Sequence, residues 1–177
     1  PGPFTTEALD AGEAVTCVGA PYGLVPEISR LGSSGTAVRW AVHELPVLPG
    51  ARGMEPALAE AERELQVTLR ESTEALAALD VARWRPEVGD AVRALREGYE
   101  EDGMPPDTSA RARRVLALGR RVWAIVVLAG EDNGGAATAG EIHRRTAALA
   151  PLARASRRAI VAACNDALSP GQPSTER

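Results

Sequence analysis

Both histidines of this chain stand beside carboxylates, so metal chemistry is the first reading to weigh. His43-Glu44 would open a zinc-binding His-Glu-x-x-His helix, but Val47 holds the place of the second histidine. Glu141 and His143 are two residues apart, which puts them on different faces of a helix. A helical carboxylate–metal site uses Glu-x-x-His pairs instead, and none is present. The acidic run Glu97, Glu100, Glu101 and Asp102 lacks the alternate spacing of a calcium loop, and a solvated helix end explains it better. No metal and no cofactor is expected.

Nucleophiles are sparse. Cys17 falls in a loop-like stretch, and Cys164 falls on an apolar helical stripe, where a thiol acts as a small hydrophobe. Two distant cysteines exclude a disulfide scaffold and a Cys-x-x-Cys motif, and they fit a reducing, cytoplasmic compartment. All 20 basic residues are arginine, so neither a Schiff-base lysine nor a phosphate-binding Walker lysine exists. Gly32-Ser33-Ser34-Gly35 would approach a phosphate if a helix began at Thr36, because free amides at a helix start attract anions. No pattern assigns a catalytic residue, and the reading leans away from an enzyme.

Two constellations remain. Arg144, Arg145, Arg154, Arg157 and Arg158 crowd residues 138–158 around Pro151. If Pro151 splits the region into two helices, the outline is that of a helix-turn-helix with arginines at the start of its second helix, placed to meet phosphates or guanine edges. Trp40, Trp84, Tyr99 and Trp123 are the bulky aromatics that would line an apolar pocket, although tryptophans fill cores far more often than they stack on ligands.

The elements that must hold these residues follow from composition and periodicity. The chain has 177 residues, 45% hydrophobic, 25% charged and 3% aromatic. So aliphatic a composition favours helices over a β-sandwich. No stretch approaches the roughly 18 uninterrupted apolar residues of a membrane span. The start has no basic region leading into an apolar run, so no signal peptide is expected.

Residues 55–80 place Leu58, Ala61, Leu65, Leu69, Ser72, Leu76 and Leu79 on one helical stripe, with Glu60, Glu62, Glu64, Glu71 and Glu74 mostly opposite. A second helix is expected from Pro86. A third runs from a cap at Asp107 or Thr108 to about Ala129, and its apolar run Val122–Ala129 reads as buried on all sides. Thr138-Ala139-Gly140-Glu141 matches a capping box and opens a fourth helix, with Ile142, Thr146, Leu149, Ala153, Ser156, Ile160 and Cys164 in three-four rhythm. Residues 36–45 are ambiguous. Val38, Trp40 and Val42 alternate like a strand, while Val38, Val42 and Leu45 step like a helix. The Gly-Ser run before them supplies capping residues and tips the reading to helix, with a short helical turn at residues 25–31.

The expected architecture is therefore all-α: a helical bundle of about four main helices over 36–168, a Gly/Pro-rich N-terminal segment over 1–35, and a disordered tail over 169–177. Charge is polarised along it. Residues 1–106 carry 9 Arg against 18 acids, and residues 107–168 carry 10 Arg against 5 acids. Acidic helices packed beside basic ones within one bundle account for this most simply. The leading functional expectation is a non-enzymatic helical interaction or regulatory protein that binds a protein partner or forms a homodimer. Nucleic-acid binding through 138–158 is the alternative, and a small-molecule pocket in the bundle the third. No membrane partner is expected.

Overall fold

Val38, Trp40 and Val42 alternate because they stand on a strand. The computed structural model describes residues 2–17, 19–33, 35–46, 57–78, 104–131 and 138–168. The chain divides into two compact units, Pro1–Met54 and Glu55–Arg177.

The N-terminal unit holds a helix α1 (Pro3–Ala11) and strands β1 (Val15–Thr16), β2 (Tyr22–Leu31) and β3 (Gly35–Glu44). The strands form an antiparallel sheet in the order β1-β2-β3. This overturns the all-α expectation and converts both the helix expected over 36–45 and the helical turn over 25–31 into a hairpin. The expected boundary between residues 35 and 36 falls at the start of β3. The physical reason is cross-strand pairing. Leu24, Pro26 and Ile28 lie directly opposite Val42, Trp40 and Val38, and such pairs are the unit of sheet stability. Gly32 turns the chain with a φ of +62°, a conformation side chains resist. The Gly-Ser run is thus a hairpin loop rather than a helix cap. Pro26 lies beyond the end of β1, where β2 is paired on the β3 side only among the described residues, a position that tolerates proline.

The C-terminal unit is helical: α2 (Leu58–Ala78), α3 (Ala110–Glu131) and α4 (Ala139–Leu168). The α2 stripe faces inward as its spacing predicts, with Ala61, Leu65 and Ser72 buried. Ser109, not Asp107 or Thr108, caps α3, its Oγ accepting the Ala112 amide at 3.1 Å. The capping box of α4 forms in both directions: the Glu141 amide donates to Thr138 Oγ1 at 3.2 Å and the Thr138 amide to Glu141 Oε2 at 3.1 Å.

The core joins Leu65 of α2, Val115, Leu116, Val122 and Val126 of α3, and Leu149, Leu152, Ala155, Ala159 and Ala163 of α4. Two details differ from the periodicity reading. Val122–Ala129 is not buried all round, since Val127 is exposed. The buried stripe of α4 is rotated toward Leu152, Ala155 and Ala159, leaving Ile142 and Thr146 exposed. Alanine covers little area but permits close approach, so the small residues rather than Ile142 face α3.

Pro151 lies inside α4, which continues through it. The proline is exposed. Its missing N–H therefore leaves unpaired within the helix a carbonyl, that of the exposed Ala147, on the solvent side. The helix expected from Pro86, Leu79, the turn 132–135 and the tail 169–177 lie outside the described residues.

Candidate protein-interaction surface

The two faces of the sheet have different surroundings. Odd-numbered positions of β2 and β3 share the side on which α1 packs. Phe4 of α1 lies where a side chain at Gly23 would be, 2.5 Å from a Cβ built there. It also meets His43 edge to face with ring centroids 5.7 Å apart. His43 Nε2 lies 3.0 Å from Glu7 Oε2 of the same helix. Val25, on this side, is 2% exposed. His43 is thereby a packing residue between α1 and the sheet.

Even-numbered positions form the opposite face: Tyr22, Leu24, Pro26, Ile28 and Arg30 on β2, with Glu44, Val42, Trp40, Val38 and Thr36 paired to them in that order. Val15 extends the row through its pairing with Leu24. Pro26 is buried and Leu24 half-buried. The others are open to solvent: Ile28 is 63% exposed, Val42 64%, Val38 51% and Trp40 49%, with Tyr22 and Val15 exposed as well. Single exposed hydrophobes are ordinary, but a contiguous apolar face is the mark of a binding surface. Sequence reasoning passed over Ile28, Val38 and Val42. The signal was the alternation through Trp40, set aside in favour of a helix.

Among the described residues no three His, Cys, Asp or Glu side chains gather where a metal ion would be held. Burial pushes the Cys164 thiol up, partly opposed by the positive charge of Arg120, which makes it a poor nucleophile at neutral pH. Cys17 follows β1, its amide bonded to the Tyr22 carbonyl at 2.9 Å. Of the pocket candidates, Trp40 is on β3 and Trp123 on α3, while Trp84 and Tyr99 lie outside the described residues.

The basic candidates all lie on α4. Arg144 and Arg154 are exposed and Arg145 is half-buried. The Arg157 guanidinium sits 5.3 Å from the Trp123 ring centroid, in cation–π range. Arg158 Nε lies 3.4 Å from Glu64 of α2, and Arg111 of α3 pairs with Glu62 at 2.6 Å. Acidic α2 thus lies against basic α3 and α4, as the charge map suggested. Because α4 is one helix from Ala139 to Leu168, the turn of a helix-turn-helix is absent from this region.

An α+β N-terminal unit carrying one open apolar face, followed by a helical unit, is the class of protein these features define. A family profile described as "Rv1486c-like protein, N-terminal domain" matches residues 1–57, and one described as "Rv1486c-like protein, C-terminal domain" matches residues 59–161. The chain belongs to this Rv1486c-like family, and the seam between the two profiles falls close to the division between the two structural units. No curated protein and no solved structure matches it.

Proposed function

We propose that this chain is a non-enzymatic interaction protein that binds another protein or a copy of itself, and that the open face of the N-terminal sheet is its working surface. The observation that carries this reading is the run of exposed apolar side chains Tyr22, Ile28, Val38, Trp40 and Val42 on one face of paired strands. Trp and Tyr are the residues that most often anchor protein interfaces. Among the described residues no group of His, Cys, Asp and Glu side chains gathers to support metal chemistry. Nucleic-acid binding finds less support, because Arg158 and Arg157 already have protein neighbours in Glu64 and Trp123. No helix among the described residues is long and apolar enough to cross a membrane. Two free cysteines fit a cytoplasmic setting.

The test is photo-crosslinking in the native cell from position 38, with position 29 on the other face as control. A protein adduct of defined mass from position 38, lost in a Trp40→Glu background, is expected. Adducts from neither position, or equally from both, would overturn the reading.

A further inference from the structure

The open face has opposite charges at its two ends. Arg30, opposite Thr36, closes it at the hairpin-loop end, and Glu44, opposite Tyr22, closes it at the other. Both are exposed, and neither has an ion-pair partner among the described residues. The Pro26–Trp40 pair lies midway, four residues along each strand from either end. At strand rise the two charged ends are about 26 Å apart.

These three facts define a surface that complements itself. Resting on the interaction reading above, we propose that the partner is a second copy of this chain, packed sheet face to sheet face about a twofold axis through the Pro26–Trp40 pair. The axis runs between the sheets and perpendicular to the strands. It reverses strand direction, so Arg30 of each copy meets Glu44 of the other, and the two Trp40 side chains meet at the centre. An axis along the strands would set Arg30 on Arg30 and Glu44 on Glu44. Charge therefore selects the first arrangement over the second. Two sheets packed this way form a sandwich with both copies of α1 outside, the aligned packing that twisted sheets favour.

The size of the face agrees. Its exposed apolar side chains offer on the order of 600 Å² per copy, given the areas such side chains bury. With the polar rim this approaches the roughly 800 Å² per partner of a standard stable interface. The helices of the chain carry no comparable face among the described residues. Leu9, Val67, Val127, Ile142 and Val161 are exposed and scattered over four different helices.

The experiment is sedimentation equilibrium of the full chain over a range of concentrations, on the wild type and four variants. The wild type is expected to be dimeric in the low micromolar range, and Trp40→Glu monomeric. Arg30→Glu and Glu44→Arg each set like charges against each other twice, and each is expected to weaken the dimer about tenfold or more at low salt. The double variant Arg30→Glu/Glu44→Arg restores opposite charges and should return to within about threefold of wild type. All three substituted positions, 30, 40 and 44, are exposed, and unchanged circular dichroism identifies the variants that fold. A wild type that stays monomeric to several hundred micromolar overturns the homodimer, while crosslinking from position 38 to a different protein would leave the interaction reading intact. A dimer that ignores Trp40→Glu, or a double variant no better than the singles, overturns this arrangement of the copies. Pairing through the edge of β3 that is unpaired among the described residues would give that second result, because Arg30 has no place in it.

Discussion

Gly119 of α3 exists as glycine because Ile160 of α4 occupies the space a side chain would need. A Cβ at position 119 would lie 2.9 Å from Ile160 Cγ1 and 3.2 Å from the Ser156 carbonyl oxygen. Helix backbones approach closely here because Ala155, Ala159 and Ala163 share the contact zone. Gly119→Ala should therefore destabilise the helical unit despite alanine's better helix propensity. Overpacking costs about 1–3 kcal/mol, and propensity offsets about 1 kcal/mol of it. A net loss of about 1 kcal/mol by urea unfolding is expected. Adding Ile160→Ala removes the nearer clash, so the pair should lose less than the two single losses combined. Strict additivity would show that Gly119 is not held by Ile160.

Ser109 works at both ends of its hydroxyl. Its Oγ accepts the Ala112 amide and donates to Asp166 Oδ2 at 3.1 Å, tying the start of α3 to the far end of α4. Ser109→Ala is expected to cost about 1 kcal/mol, the usual worth of an N-cap. Ser109→Asp would keep a cap acceptor but set a carboxylate against Asp166, and should fall below Ser109→Asn in stability. Equal midpoints for the Asp and Asn variants would show that Asp166 is not a partner.

The Cys164 thiol titrates above its ordinary value, because burial disfavours the thiolate more than Arg120 favours it. The folded chain therefore keeps a proton that the unfolded chain releases. The stabilising contribution is fully present below the unfolded thiol pKa and is lost as pH rises through the folded one. Stability should decline as pH climbs past the ordinary thiol range, and less so in Cys164→Ala. Iodoacetamide should modify Cys164 much more slowly in the folded chain than in denaturant. Equal rates at pH 8 would contradict the burial seen here.

The helical half was legible because its signals are local. Leu58, Ala61, Leu65 and Leu69 repeat within single helical turns, and Thr138 with Glu141 completes its cap inside four residues. The hairpin was not legible for the opposite reason. Whether Val38 and Val42 are helical or extended depends on Ile28 and Leu24, which reach them only after the chain turns at Gly32. A low overall aromatic content also concealed that Tyr22 and Trp40 share one face. The candidate surface was therefore sought on helices, and it lies on strands. On α4, the three-four rhythm through Ile142 and Thr146 was real but faced water, because the small residues beside it admit the closer neighbour.

Glu62 and Glu64 of α2 stand against Arg111 and Arg158. Both pairs are partly exposed, so each should contribute no more than about 1 kcal/mol, falling with salt. Their larger effect is on the surface field. With the acids in place, the positive charge of α3 and α4 is neutralised where it arises, and retention on a heparin column should be slight at physiological salt. Glu62→Gln/Glu64→Gln is expected to keep the fold and frees two guanidinium groups, that of Arg158 one helical turn from the exposed Arg154. The variant should elute at distinctly higher salt than wild type, because bound anion charge responds steeply to ionic strength. Arg158→Gln added to it should move elution back. If the double variant elutes with the wild type, the acids are not what masks the arginines. If the wild type itself is strongly retained, the basic helices are an anion-binding face in their own right.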